Sequence, residues 1–555
     1  MAGDVRFRAR LAGRRLAPAL LGLFVSSVAI AQGPAPAAAP VFETSDQCIA
    51  CHSNLTDADG QDVSIGHAWR ATMMANSARD PYWQAAVRRE VMDQPERQAA
   101  IEDTCSTCHM PMARTAAKAA GGLGEVFAHL GPDAAVGPDV AAALDGVSCT
   151  VCHQIRPDNL GEHESFDGGF LVGGPEAGVA TAFGPFDDLD EGLQRIMESA
   201  SGFQPAAGAH IQESELCATC HTLFTTALDE EGREVGRLPE QVPYLEWLNS
   251  GYRGDQSCQD CHMPVAAEAP ISSVLGEQRE GLSLHAFRGG NAFMLRLLNR
   301  YRDELNVTAP SDELEASAAR TAEHLRNDTA KIDRIDLRLE PGEVVVDVEV
   351  RNLAGHKLPT AYPSRRAWLH LTVRDQNGGV LFESGAMRPD GSIAGNDNDA
   401  DPGAFEPHHA EISGPDQVQI YESIIVDHAD RVTTALLRGV RYAKDNRLLP
   451  DGFDKASAPG DVAVLGAAAG DPDFVAGNDT VRYRFPVAAG VTAVTVSARL
   501  LFQTIGYRWA RNLADYDAFE TNRFVGYYDA NATESAVVLA AAEAQARLIR
   551  TEDRK

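Results

Sequence analysis

The stretch that decides the fold is Cys48-Ile-Ala-Cys-His52, and the same pattern recurs at 105–109, 149–153, 217–221 and 258–262. These five Cys-x-x-Cys-His motifs use all ten cysteines of the chain, and histidine directly follows each pair. Cys-x-x-Cys-His is the attachment signature of c-type haem. The two thiols bond to the porphyrin, and the histidine binds the iron from one side. The sequence therefore predicts five covalently bound haems.

Paired cysteines have three other common uses: a disulfide framework, zinc knuckles and thioredoxin-like redox pairs. Zinc would have to take the motifs two at a time, and five is an odd number. A disulfide framework gives no reason for a histidine after every pair, and only 16 of the 555 residues are histidine. The predicted thioether-forming residues are Cys48, Cys51, Cys105, Cys108, Cys149, Cys152, Cys217, Cys220, Cys258 and Cys261. The predicted proximal iron ligands are His52, His109, His153, His221 and His262.

The N-terminus has the pattern of a secretory signal peptide over residues 1–31. Five arginines between Arg6 and Arg15 precede an apolar run, and Ala29-Ile-Ala31 fits a cleavage site. The apolar run is shorter than the roughly 20 residues needed to span a bilayer. Residues 32–47 form a Pro/Ala-rich linker. We therefore predict a periplasmic, secreted or cell-surface protein that does not span a membrane.

Composition fits a globular protein, with 44% hydrophobic and 23% charged residues. The formal net charge of -30 repels phosphate backbones, so nucleic-acid binding is excluded. From residue 332 onward, apolar residues alternate with a period of two, as in strands. The predicted fold class is α+β multidomain, with a loop-rich, mainly α multihaem cytochrome c domain followed by an antiparallel β-sandwich domain. The predicted divisions are a pentahaem domain at 48–290, a helical connector at 291–330, a β-sandwich at 331–531 and a C-terminal helix at 532–555.

Each iron needs a second axial ligand unless it is open to substrate. His210 lies seven residues before Cys217, and His285 precedes glycines that let backbone approach a flat ring. His356 lies in a loop between two predicted strands, from which the β domain can send a ligand into the haem domain.

Three further candidates complete the set of distal ligands. His129 lies in a Gly-rich loop, and His67 shares a predicted helix with Met74, for which a core methionine is the alternative. His324 has the pattern of an exposed helix residue. The predicted distal ligands are His210, His285, His356, His129, His67 and Met74.

Two clusters of charged residues are further candidates for binding sites. Asp397, Asp399 and Asp401 alternate as at the start of an EF-hand loop, but Pro402 replaces the required glycine. An EF-hand is excluded, and a calcium loop of another type remains open beside a solvated turn. Arg288 and the pair Arg365-Arg366 could match haem propionates, or could be ordinary surface arginines.

The five motifs, with Cys-His-Met-Pro at 108–111 and 261–264, resemble bacterial multihaem c-type cytochromes, including the group around cytochrome c-554. The run Gly355-His-Lys-Leu-Pro-Thr-Ala-Tyr-Pro-Ser364 is similar to long exported multihaem cytochromes with an attached β domain. The resemblance implies electron transfer between redox partners, such as other cytochromes or a membrane quinol-linked complex. Pentahaem nitrite reductases resemble the chain poorly, because their catalytic haem uses a Cys-x-x-Cys-Lys motif that is absent here.

Two other functions remain open on the sequence. One is a haem oxidoreductase that acts on a small nitrogen or sulfur compound at one five-coordinate haem. The other is a surface module in which the β-sandwich docks the protein onto a membrane complex or a polymer of itself.

Overall fold

The computed structural model describes residues 42–131, 134, 137–174, 178–340 and 342–547, apart from the side chain of Leu339. The predicted signal peptide and residues 32–41 of the predicted linker lie outside the described residues. No helix in the described ranges is both long enough and apolar enough to cross a membrane.

The described residues form short helices in the part of the chain that carries the motifs, and further helices after it. They are α1 (Asp46–Ile49), α2 (Ile65–Arg70), α3 (Pro81–Asp93), α4 (Gln98–His109), α5 (Pro111–Ala119), α6 (Phe127–Leu130), α7 (Pro138–Leu144), α8 (Cys149–Cys152), α9 (Glu191–Ser201), α10 (Ser214–Ala218), α11 (Pro243–Leu248), α12 (Cys258–His262), α13 (Ala292–Arg300), α14 (Ser311–Asp328), α15 (Asp397–Ala400), α16 (Tyr507–Arg511) and α17 (Phe519–Asn531).

Four of the described strands precede residue 242, and the others follow residue 329. They are β1 (Ala180–Gly184), β2 (Phe203–Ala207), β3 (Leu223–Leu228), β4 (Glu234–Gln241), β5 (Ala330–Glu340), β6 (Glu343–Asn352), β7 (Arg366–Asp375), β8 (Val380–Ser384), β9 (Glu411–Ile412), β10 (Ile420–Tyr421), β11 (Ser423–Val426), β12 (Val432–Thr433), β13 (Arg441–Asp445), β14 (Asn478–Pro486), β15 (Ala493–Gln503) and β16 (Ala536–Arg547).

The helical region, residues 42–328, contains two small sheets beside its helices. β1 pairs with β2 in parallel, and β3 pairs with β4 antiparallel. Asp80 caps α3, because its carboxylate accepts hydrogen bonds from the backbone N–H groups of Tyr82 and Trp83 at 2.8 and 3.3 Å. Pro81 occupies the first turn of the same helix. These local signals fix where α3 begins, and thereby where Trp83 lies.

The strand region, residues 330–547, contains three sheets. Their strand orders are β5-β6-β14-β9, β10-β7-β15-β16 with β8 on β7, and β12-β11-β13. Most pairs are antiparallel, but β9 pairs with β14 in parallel. The predicted strands at 336–340, 344–350, 367–373 and 494–501 are confirmed in β5, β6, β7 and β15.

The two larger sheets contribute to one hydrophobic core. Val346 and Val348 of β6, Leu369 and Leu371 of β7 and Val496 of β15 all belong to it and are at most 1% exposed. Burial of this kind contributes about 25 cal/mol per Å² of apolar surface removed from water. The architecture is thus a mixed α+β one, with a helix-rich first half and a strand-rich second half.

The helix predicted at the C-terminus is wrong for the described residues 536–547, which form β16. Its alanines satisfy a helical period, but Glu543, Gln545 and Arg547 alternate with them and point to solvent. β15 supplies an antiparallel partner over the full length of β16. The segment therefore forms a strand and not a helix, because β15 provides hydrogen-bond partners for the backbone N–H and C=O groups on one edge of β16.

The helical and strand regions pack against each other. Arg88 of α3 pairs with Glu520 of α17 through two hydrogen bonds of 2.8 and 2.9 Å. The Tyr442 hydroxyl of β13 donates to the carbonyl oxygens of Pro239 and Glu240 at 2.8 and 3.1 Å. Residues of the strand region can therefore reach the motifs.

Candidate cofactor site

Each Cys-x-x-Cys-His motif lies in or next to a helical turn. α4, α8 and α12 contain both cysteines of their motifs, and α1 and α10 contain the first cysteine of theirs. Residues three apart on a helix lie on the same face. The fold therefore presents both thiols of the second, third and fifth motifs on one side of the turn. No disulfide joins any of the ten cysteines.

The five motifs share one cavity of about 1970 Å³. Its wall includes all ten cysteines and all five motif histidines. A site for one small ligand measures about 300–1,000 Å³, so this cavity has room for more than one. The donor set and the shared cavity fit several haems held in one polypeptide.

The motifs meet in an order that differs from their order in the chain. Three pairs of thiols from different motifs are close neighbours that affect each other's ionisation: Cys48 with Cys149, Cys108 with Cys220, and Cys217 with Cys258. Cys152 is also an electrostatic neighbour of Cys220. The third motif therefore neighbours the first and the fourth, and the fourth motif neighbours the second, the third and the fifth.

Four motif histidines are oriented by backbone carbonyl groups. Nδ1 of His52 lies 2.6 Å from Ile271 O, Nδ1 of His109 lies 3.2 Å from Ser77 O, and Nδ1 of His153 lies 2.5 Å from Phe183 O. Nδ1 of His262 is bonded to Arg288 O. A hydrogen bond from Nδ1 leaves Nε2 available to a metal and fixes the tautomer. Among the described residues, His221 has no such carbonyl partner.

Burial keeps these imidazoles neutral. It lowers the pKa of His109 and of His262 to about 4, and it also lowers the pKa of His52, His153 and His221. Neutral imidazole is the form that binds a metal ion. Trp83 stacks on His109 at 4.4 Å between ring centres, which holds that ring in place.

Two further histidines face motif histidines across the cavity. The ring centres of His153 and His285 are 6.2 Å apart, and those of His262 and His356 are 6.3 Å apart. A transition-metal ion lies about 2 Å from each imidazole nitrogen that binds it, so two imidazoles on opposite sides of one ion have ring centres about 6 Å apart. Both pairs have the spacing of two axial ligands on one iron.

The facing histidines have the same hydrogen-bond pattern as the motif histidines. Nδ1 of His285 lies 3.0 Å from Ser283 O, and Nδ1 of His356 lies 2.9 Å from Lys357 O. Burial lowers the pKa of His285 to about 4 and lowers that of His356 as well. In both side chains Nε2 is left available.

The other predicted distal ligands are placed differently. Of the described side chains, Met74 lines the cavity, whereas His67, His129 and His210 do not. His210 is buried, and its Nε2 lies 2.9 Å from Ile155 O. Nδ1 of His129 lies 2.6 Å from Glu125 O, one turn earlier. Although His67, His129 and His210 are close to a motif in sequence, their imidazole rings do not lie at the cavity wall.

His324 is a cavity residue, although its sequence pattern is that of an exposed helix residue. It lies on α14, lines the cavity, and has its ring centre 6.2 Å from that of His262. Its Nδ1 lies 2.9 Å from a carboxylate oxygen of Asp328. The i, i+4 spacing of His324 and Asp328 was the available sequence signal for an oriented imidazole.

The three arginines considered as partners of haem propionates, Arg288, Arg365 and Arg366, differ in their surroundings. Arg366 forms a buried bidentate pair with Asp399 at 2.8 and 3.0 Å, so it holds the strand region together. Arg365 and Arg288 line the cavity. Arg365 donates to Thr360 O and to the Asn291 side chain, and burial lowers its pKa to about 10. Arg365 and Arg288 are thus the members of this set that can reach a carboxylate inside the cavity.

The open possibility of a calcium loop is not supported. The Asp399 carboxylate is occupied by Arg366 and by the backbone N–H of Ile393. Among the described residues, a cluster of three side chains whose ligand atoms lie within 4.8 Å of one another is found elsewhere, at His408, Asp471 and Asp479. There, amide groups of Gln419 and Asn446 donate to Nδ1 of His408. A metal-bound imidazole would instead donate from that nitrogen.

Searches of family models and of curated proteins find no match to this chain. In fold, the chain is similar to the crystal structure of a penta-heme cytochrome c552 from Thermochromatium tepidum. The TM-score is 0.50 at 16% sequence identity, and the match covers 91% of this chain and 99% of the other. At this identity, the similarity shows that the two chains share a fold.

Proposed function

We propose that this protein is an exported multihaem c-type cytochrome that carries electrons through five covalently bound haems between redox partners. The observation that carries the proposal is the single cavity whose wall includes every cysteine and every motif histidine. Bound haem supplies one-electron chemistry, with a potential set by axial ligands, burial and nearby charge. The shared fold with a penta-heme cytochrome supports the same conclusion.

The residues of this chain would hold the haems in defined roles. The ten cysteines provide thioether anchors, and His52, His109, His153, His221 and His262 bind from the proximal side. His285 completes the third site, and His356 completes the fifth. We assign His356 rather than His324 to the fifth site because its ring plane is 13° from that of His262, whereas the plane of His324 is at 68°. The facing pair at the third site has a similar angle of 16°.

The contacts between motifs support a branched route. Since the fourth motif neighbours the second, third and fifth, it is the junction, and the first, second and fifth sites are ends. A junction allows electrons to enter at one end and leave at another. Arg365 and Arg288 are suited to pair with haem propionates at the cavity wall.

The strand region has a supporting role in this proposal. We propose that its two larger sheets form a β-sandwich domain that extends the loop with His356 into the haem region. The signal-peptide pattern supports export to the periplasm or cell surface. The strongly acidic chain would steer docking toward basic or neutral redox proteins, such as other cytochromes or a quinol-linked membrane complex.

Haem quantification and electron paramagnetic resonance of the purified oxidised protein test the proposal. We expect five haems per chain, with low-spin signals from the third and fifth sites. His285→Ala and His356→Ala should each alter one low-spin signal. His370→Ala should alter none, because His370 of β7 pairs with Glu383 and does not line the cavity. Colourless protein, or sulfurs bridged to each other, would refute the proposal. A high-spin haem that binds cyanide in the resting protein would instead indicate the oxidoreductase alternative.

A further inference from the structure

The loop that carries His356 is held by a buried ring of four charged side chains. The members are Glu246 of α11, Lys357, Asp445 of β13 and Arg447, and they are between 0 and 6% exposed. Two are cations and two are anions, so the ring is neutral overall. A buried charge is costly unless it is paired in this way.

The contacts close around the residue next to His356. Nζ of Lys357 donates to Asp445 at 2.7 Å, and Arg447 donates to both oxygens of the same carboxylate at 2.9 and 2.7 Å. Arg447 also pairs with Glu246 at 2.8 Å. The other Glu246 oxygen accepts the backbone N–H of Lys357 at 3.1 Å, which completes the ring.

The ring fixes the groups that orient the His356 imidazole. Lys357 is anchored at its side chain and at its backbone N–H, and its carbonyl oxygen lies 2.9 Å from Nδ1 of His356. Thr360 ties the far end of the loop to Glu246 at 2.5 Å. Asn352 donates to the carbonyl oxygen of His356 at 2.8 Å. Without the ring, the Lys357 carbonyl loses its support and the imidazole can rotate.

The ring also connects the two regions at this point. Glu246 lies in α11, twelve residues before Cys258 of the fifth motif, whereas Lys357, Asp445 and Arg447 belong to the strand region. Glu246 therefore joins the helical region, which carries His262, to the loop that carries His356, and its contacts help to set the distance between the two rings.

We propose that Glu246, Asp445 and Arg447 are positioning residues that hold His356 as the sixth ligand of the fifth haem. The inference rests on the proposed function, since it takes the fifth site to hold a haem between His262 and His356. The ring would set the spin state and potential of one haem out of five. In the described part of the chain, no hydrogen bond joins the motif histidine of any of the other four sites to a side chain of this ring.

Four variants of the full haem-loaded chain test this inference: His356→Ala, Asp445→Asn, Glu246→Gln and the matched control Asp347→Asn. Asp347 is a buried carboxylate in β6 that also pairs with two cations, Arg338 of β5 at 2.6 Å and Arg482 of β14 at 2.8 Å, and neither partner belongs to the loop that carries His356. The readouts are haem content, low-spin resonance signals and the reduction potentials from a spectroscopic titration.

We expect Asp445→Asn and Glu246→Gln to keep five haems and to change the same single low-spin signal and potential that His356→Ala changes. Asp347→Asn should leave all five signals as in the parent protein. If His356→Ala changes a signal and the ring variants do not, the positioning role is refuted while the proposed function stands. If His356→Ala changes nothing, the ligand assignment fails, and the inference with it.

A milder variant guards against loss of folding. Thr360→Val removes only the hydroxyl bond to Glu246 and keeps every charge of the ring. It should shift the same potential in the same direction as Glu246→Gln, by a smaller amount. A shift spread over several haems, or none, would overturn the inference.

Discussion

The helical region and the strand region differ in what their interiors are made of. The strand region buries a large apolar core, and its buried charges are paired within the protein, as in Arg366 with Asp399 and Lys444 with Glu422. The helical region has several small apolar clusters around a cavity walled by cysteine and histidine. The comparison indicates that the strand region is stabilised by its own side chains, whereas the helical region is organised around its cavity.

The largest effect is expected where the motifs meet. Replacing Cys217 and Cys220 by serine should lower the haem content from five to four per chain. It should also lower the unfolding temperature and expose the helical region to protease, since these thiols neighbour cysteines of three other motifs. The measurements are haem-to-protein ratio, thermal unfolding and limited proteolysis.

The matched variant carries serine at Cys258 and Cys261, where one thiol contact to another motif is present. It should also lose one haem, but with a smaller fall in unfolding temperature. Equal falls in the two variants would contradict the assignment of the fourth motif as the junction.

A core substitution tests the other half of the comparison. Leu371→Ala, at a side chain that is 0% exposed, should cost about 2–5 kcal/mol in free energy of unfolding because it leaves a cavity. All five haems should remain bound. Val380→Ala, at a residue that is 51% exposed, should change stability by less than about 0.5 kcal/mol. Loss of haem in Leu371→Ala would show that the two interiors are not independent.

The last effect depends on pH and is expected from a buried carboxyl of the strand region. Burial raises the pKa of Asp479 to about 7, against about 3.9 in an unfolded chain. The folded state therefore holds the proton more tightly, so stability falls as pH rises between these values and levels off above the higher one. Asp479→Asn should remove this dependence, and its stability relative to the parent should rise from pH 4 to pH 7.

Urea unfolding at several pH values measures that difference. Asp416→Asn, at an exposed position, serves as the control and should follow the parent protein throughout. A parallel pH profile for Asp479→Asn and the parent would contradict the effect of burial on this carboxyl.

Local pattern was sufficient for several parts of this protein. The spacing of cysteine and histidine predicts five haem-attachment motifs, because two thiols and an imidazole must reach one porphyrin from a single helical turn. Alternation of apolar residues predicted β5, β6, β7 and β15, since side chains of a strand point to opposite faces. The alanine-rich segment at 536–547 was misjudged, because alanine fits both periods and the partner strand β15 decides between them.

Only the tertiary structure decided which histidines face one another. His285, His324 and His356 are far in sequence from the motif histidines they approach, and the chain returns to the cavity through contacts such as the ring around Lys357. His210 is near its motif in sequence, yet its ring is turned to Ile155. The order in which the motifs meet was likewise open, because it depends on packing between segments, and no local propensity encodes such contacts.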